Sequence, residues 1–157
     1  MGKIYIFRNL SVGENAKSCN SFDTKTEKLN EIAPMLEKRP YWSCAVFGGR
    51  IILSGGVNNG VVVKTAEAYD HCSDEWSRMP EMLEARRNHA SVSIKNKLFM
   101  MGGSPNQCEV FDSCNQNFAY LKPMLPIYNF PEFQTKCFTM GNKIMVFKES
   151  LLKCSCI

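Results

Sequence analysis

No apolar run in this sequence approaches the ~18 residues that a membrane-spanning helix requires. The N-terminal MGKIYIFRNL has too short an apolar centre for a signal peptide. Lys and Arg never stand five in a row and the net charge is only +4, so the clustered basic face that binds nucleic acid is missing. Arg86-Arg87 reads as a solvated loop pair. Histidine is scarce, with His71 and His89 the only two, and no C-x-x-C pair occurs among the eight cysteines. Neither a structural zinc site nor any other metal or cofactor is therefore expected. Ile6 stands where a myristoylation signal needs a small hydroxyl residue, and Cys154-Ser-Cys-Ile157 lacks the aliphatic pair of a prenylation box. The sequon Asn9-Leu-Ser11 matters only in a secreted chain. Helix signals are poor; residues 31–38 come nearest, and Pro34 interrupts them. Hydrophobic content of 45% and charged content of 22% are those of a folded soluble chain, and the cytoplasm is the expected compartment.

What the sequence does have is a repeat. Residues 51–87 carry, in order, an apolar run ending in Gly55-Gly56, then Glu67-Ala-Tyr69-Asp70, Trp76, Met79-Pro-Glu-Met82 and Arg86. Gly55-Gly56 recurs as Gly102-Gly103 after 47 residues. Tyr69-Asp70 recurs as Phe111-Asp112, Trp76 as Phe118 and Met82 as Met124, each after 42. Upstream by 47 residues, Ile4-Tyr-Ile-Phe7, Phe22-Asp23, Leu29, Pro34-Met35 and Arg39 hold the same phase. Asn142-Lys-Ile-Met-Val-Phe147 repeats Asn96-Lys-Leu-Phe-Met-Met101 after 46. Self-similarity at roughly 40–50 residues marks propellers and arrays, whose units bury their apolar faces against one another.

This order of motifs resembles the kelch repeat, one four-stranded blade of a β-propeller, over about residues 3–148. The resemblance implies an all-β chain of about three four-stranded antiparallel blades of an incomplete propeller. The units span about 1–39, 40–87, 88–133 and 134–148, followed by a tail over 149–157. Alternation and β-branched or aromatic content predict strands at 3–7, 18–23 and 28–32, then 42–47, 50–54, 61–69 and 75–78. In the later units they predict strands at 89–94, 97–101, 108–111 and 117–121, then 134–140 and 143–147. An insertion with Pro126 and Pro131 falls within 125–132. Gly55, Gly56, Gly102 and Gly103 are expected to let the backbone take positive φ and pass close to a neighbour. Asp70 and Asp112 should cap turns, Tyr69 and Phe111 should be core residues, and Trp76 should cover the space between blades. Such an arc leaves strand edges and blade faces open, so the chain is expected to be a fragment of a longer protein and prone to self-association.

The repeat phase also bears on the cysteines. Cys19 and Cys108 fall at the position of Ala66, Cys44 and Cys137 at that of Ser91, and Cys72 and Cys114 at that of Lys25. Repeat-equivalent residues lie a blade apart, beyond the ~5.5 Å Cα separation of a disulfide, so cysteine is expected to act as a small hydrophobe. His71-Cys72 does not read as a thiol–imidazole pair, because adjacent residues on a strand or turn usually point apart.

No catalytic constellation is expected. Asp23, Asp70 and Asp112 fall in three equivalent turns, and two dispersed histidines do not build the Tyr–His copper cluster of kelch-type oxidases. The resemblance implies partner binding instead, by the loops after the diglycine and those leading into each inner strand. Carried onto this sequence, those loops give Asn58, Asn59, Ser104 and Asn106, and then Arg39, Tyr41, Arg86, Arg87, Asn88 and Gln134. Arg, Tyr and Asn suit a polar or acidic peptide. The turns of the opposite face, with Asp74 and Glu75, are expected to be silent in binding. Kelch-like proteins are similar to one another as substrate adaptors of cullin-RING ubiquitin ligases, with BTB and BACK domains ahead of the propeller, and that is the function the resemblance implies. An actin-binding kelch protein is the alternative, and a propeller enzyme a distant third.

Overall fold

The computed structural model describes residues 2–8, 13, 16–103, 107–121 and 135–148, and every regular element among them is a β-strand. Strands β1 (Lys3–Phe7), β2 (Cys19–Asp23) and β3 (Lys28–Ile32) form an antiparallel sheet in that order. The second sheet is β4 (Ser43–Phe47), β5 (Arg50–Ser54), β8 (Ala66–Asp70) and β9 (Glu75–Arg78). A small hairpin of β6 (Val57–Asn58) and β7 (Val61–Val62) rises from the connection between β5 and β8. The third sheet is β10 (Ala90–Ile94), β11 (Lys97–Met101), β12 (Glu109–Asp112) and β13 (Asn117–Tyr120); β14 (Thr135–Met140) and β15 (Lys143–Lys148) pair beyond it. The first strands β4, β10 and β14 lie side by side, so the sheets are arranged as neighbouring blades.

The strand pattern departs from expectation at one place. Residues 61–69 do not form one strand: Val57 pairs with Val62 and Asn58 with Val61 around Asn59-Gly60, and the third strand of the blade begins at Ala66. Asn59 and Gly60 both hold positive φ, at 49° and 80°. That is the geometry of a two-residue hairpin turn, for which Asn-Gly is the strongest short sequence signal.

The core lies between blades rather than inside a sheet. Ile52 and Ala68 of the second blade meet Leu98, Met100, Phe111 and Phe118 of the third, with Met82 between them. Cys19 and Met35 meet Leu53 from the other side, ringed by Phe7, Trp42 and Trp76. The buried Ile, Leu, Met and Phe side chains among these each contribute about 1.5–3 kcal/mol of transfer free energy. Trp76 spans the seam: its ring stands edge-on to Phe7 at 5.7 Å, and its Nε1–H donates to the Ala33 carbonyl at 2.8 Å. Tyr69 and Phe111 are both buried, as the repeat implies. The outer sheets keep apolar side chains exposed, among them Ile4 and Ile6 of β1 and Phe138 and Met140 of β14.

The Asp turns are built alike. The Asp70 Oδ1 accepts from Cys72 N at 2.9 Å, the Asp112 Oδ1 from Cys114 N at 2.9 Å, and the Asp23 Oδ1 from Lys25 N at 2.8 Å. Asp74 has a structural role in its turn. Its Oδ1 accepts from Ala33 N at 2.9 Å and from the Tyr69 hydroxyl at 2.8 Å, tying the chain that leaves the first blade to the second. Burial, and then the bond to Asp74, raise the Tyr69 phenol pKa. Six cysteines, Cys19, Cys44, Cys72, Cys108, Cys114 and Cys137, are free thiols.

Candidate functional site

One end of the blades gathers the loops named by the sequence, and backbone hydrogen bonds knit them. Gly56 N donates to the Arg86 carbonyl at 2.7 Å and Val57 N to that of Pro40 at 2.8 Å. Asn88 N donates to the Tyr41 carbonyl at 3.1 Å, and Thr135 N to the Asn88 carbonyl at 2.9 Å. Residues 41, 88 and 135 are separated by one repeat of 47 each, so these bonds run from blade to blade as an arc. Tyr41 and Asn88 hold positive φ, 65° and 55°. Asn visits that region easily, whereas a bulky aromatic there is an outlier that the surroundings must enforce. The Tyr41 side chain is 47% exposed. Asn58 is half-buried, while Asn59 and Arg87 are exposed. The structure thus brings Tyr41, Asn58, Asn59, Arg87 and Asn88 together on one rim; Ser104, Asn106 and Gln134 lie outside the described residues.

The two remaining arginines point the other way. Arg39 and Arg86 leave only 1% and 0% of their surface exposed, which corrects their expected place on the partner-facing surface. The Arg86 Nε donates to the Glu109 Oε1 at 3.0 Å, its Nη1 to the Gly102 carbonyl at 2.9 Å, and its Nη2 to Glu109 at 2.8 Å and to the Gln107 carbonyl. Glu109 in turn accepts from Leu83 N at 2.6 Å and Glu84 N at 3.1 Å. One blade earlier, the Arg39 Nε lies 3.3 Å from the Glu67 Oε1, its Nη1 donates to Thr65 O at 2.7 Å, and Glu67 accepts from Leu36 N at 3.1 Å. The outer strands of the first and second blades are thus each followed by a segment strapped across the next blade by an Arg–Glu pair. The Arg86–Glu109 pair is hydrogen-bonded through both Nε and Nη2. The Arg39 Nε and Glu67 Oε1 instead face each other as an ion pair without a hydrogen bond among the described residues, the weaker arrangement for buried charges.

Sequence reasoning passed over Glu67 and Glu109, although the signal was present. A carboxylate recurs after 42 residues in strands that are otherwise apolar or aromatic up to their closing Asp, and a buried charge demands a partner. Glu37 belongs to the same strap. Burial raises its carboxyl, but Arg78, Arg39 and Thr65 outweigh that and hold it below the usual carboxylate range.

The diglycines explain how the loops come so close. A Cβ on Gly55 would sit 2.3 Å from the Arg86 carbonyl oxygen, and one on Gly56 would sit 2.7 Å from that of Pro40. The first glycine abuts the loop entering the next blade, and the second abuts the loop entering its own.

Beneath the rim His89 is buried, its Nε2 2.9 Å from the Ser54 hydroxyl, which lies 3.0 Å from that of Ser91. Its Nδ1 has no hydrogen-bond partner among the described residues. Burial, and then the nearby Arg86 charge, lower its pKa to about 3 from 6.5. Above pH 6.5 the imidazole is neutral folded or unfolded, so it contributes no pH dependence there. Below 6.5 the unfolded chain binds a proton that the folded chain refuses, and stability falls with pH until about 3. The maximal slope is roughly 1.4 kcal/mol per pH unit. Urea unfolding at pH 7.5 and 5.5 should therefore show a loss of stability in the parent that His89→Gln removes. An equal loss in both proteins would assign the dependence to other groups.

The antiparallel sheets are those of incomplete kelch-type β-propeller blades. Residues 38–83 match the family model of the Kelch motif, and kelch repeats are in general protein-interaction modules. Among curated proteins, the chain is 32% identical over 106 residues to the Kelch repeat-containing protein kel-10 of Caenorhabditis elegans, covering 64% of this chain and 18% of that protein. It is 36% identical over 87 residues to the Kelch repeat and BTB domain-containing protein F47D12.7 of the same organism, covering 52% and 15% respectively. It is 26% identical over 100 residues to the Kelch repeat protein C2 of cowpox virus, covering 64% and 20%. The chain thus spans a fifth or less of the length of these relatives. No helix among the described residues is long and apolar enough to cross a membrane.

Proposed function

We propose that this chain is a partner-recognition surface of a kelch propeller, binding a polar or acidic peptide segment through the rim of Tyr41, Asn58, Asn59, Arg87 and Asn88. The observation that carries the reading is Tyr41, an exposed aromatic held at positive φ on a hydrogen-bonded arc beside an Asn-Gly hairpin. An aromatic and an arginine on a pre-set backbone are the side chains that most often dominate binding energy. The similarity to a relative described as containing kelch repeats and a BTB domain favours the substrate-recognition part of a cullin-RING ubiquitin ligase adaptor over other kelch roles. Ser104, Asn106 and Gln134 extend the proposed surface by repeat position.

The test takes a partner recovered by pull-down and compares Tyr41→Asn, Arg87→Ala and Glu75→Ala. Asn keeps the left-handed backbone while removing the ring. Tyr41→Asn and Arg87→Ala should each weaken binding by roughly 1.5–3 kcal/mol, and Glu75→Ala, exposed on the opposite end of the blade, should bind as the parent does. Equal affinity for all three would move the site off this rim. Recovery of filamentous actin rather than a ligase substrate would replace the adaptor reading with a cytoskeletal one.

A further inference from the structure

The turn between β8 and β9 holds three side chains that no part of the binding reading uses. Asp70, His71 and Cys72 each offer a ligand atom, and these atoms all lie within 4.8 Å of one another. The Cys72 Sγ stands 3.6 Å from the His71 Nε2. Neighbouring residues usually diverge on a strand, but here the chain is turning, and the two converge. The separation is informative in itself. A zinc-class ion binds thiolate at about 2.3 Å and imidazole nitrogen at about 2.0–2.1 Å, and a tetrahedral angle between those bonds sets sulfur and nitrogen about 3.6 Å apart.

We propose that this turn binds a borderline divalent cation of the zinc class, through the Cys72 thiolate, the His71 imidazole and the Asp70 carboxylate. Sulfur, nitrogen and oxygen together suit such an ion, whereas magnesium and calcium prefer oxygen throughout. The Asp70 Oδ1 accepts from Cys72 N at 2.9 Å, which fixes the turn and leaves the carboxylate a second oxygen. His71 and Cys72 are exposed, so the fourth coordination position opens to solvent, for water. The repeat supplies its own comparison. Asp112-Ser113-Cys114 makes the same turn, with Cys114 N donating to Asp112 at 2.9 Å, but has no imidazole. Among the described residues the site therefore belongs to the second blade alone, and lies at the end of the sheet away from Tyr41 and Asn88.

Cobalt(II), added to the reduced full chain, is the probe. The expected result is a stoichiometric thiolate-to-cobalt charge-transfer absorption with the visible bands of a tetrahedral site, displaced by zinc. Cys72→Ser should abolish the charge-transfer band. His71→Ala should raise the cobalt dissociation constant by about ten-fold or more, and Cys114→Ser should change nothing. The proposal is overturned if Cys72→Ser keeps the band, if the parent shows no band at millimolar cobalt, or if the band is lost only when Cys154 and Cys156 are both replaced by Ser.

Discussion

Arg86→Ala is expected to cost about 3–5 kcal/mol of folding stability, the loss that follows when one partner of a buried ion pair is removed and the other charge stays buried. Domains are typically stable by only about 5–15 kcal/mol, so the variant would be close to unfolding. The size follows from what Arg86 holds. Its guanidinium meets Glu109 and the carbonyls of Gly102 and Gln107 with no exposed surface, and Glu109 receives the Leu83 and Glu84 amides of the strap. Glu109→Ala should therefore cost a comparable amount, and the double variant less than the sum, because the two act as one unit. Urea unfolding measures all three. An Arg86→Ala protein as stable as the parent, but with weakened partner binding, would return Arg86 to the partner-facing surface and contradict its assignment to the strap.

Gly55→Ala carries the second large effect. Gly55 has a φ of 61°, and its added Cβ would stand 2.3 Å from the Arg86 carbonyl oxygen and 2.8 Å from the His89 Cε1. Neither is the end of a flexible chain, so the loop entering the third blade must move. Backbone strain of about 1–3 kcal/mol adds to overpacking of about 1–3 kcal/mol, and the displaced loop carries Arg87 and Asn88 to new positions. Gly48→Ala is the matched control, since Gly48 has a similar φ of 58° with nothing within 4 Å of its Cβ. Thermal unfolding should separate the two variants by several degrees, roughly 2–4 °C per kcal/mol for a chain of this size. Equal effects would mean that the loop gives way at no cost and that the diglycine serves conformation alone.

The blades were legible because their signals recur. Gly55-Gly56, Tyr69-Asp70 and Trp76 each have a counterpart one repeat away, and a packing seam between units demands the same residue types each time. Trp76 and the Asp turns hold the roles that the repeat implies. What repetition conceals is direction. Arg39 and Arg86 sit in the expected loops, but whether an arginine faces a partner or a buried glutamate depends on Glu67 and Glu109, 28 and 23 residues further on. The Asn59-Gly60 hairpin went unread because Val61-Val62-Val63 looked like the start of a longer strand. His71-Cys72 fell outside the rule that neighbours on extended chain diverge, since the two residues sit where the chain bends. Tyr41 was placed in the right loop, yet its positive φ follows from the arc of bonds to neighbouring blades and has no local signature.

The claim that the rim is the recognition surface is tested most directly by amide hydrogen exchange of the full chain with and without its partner. Binding should slow exchange at residues 41, 57–62 and 86–88 while leaving the turn at 71–74 unchanged. Protection confined to 71–74, with the rim exchanging as in the free protein, would contradict it.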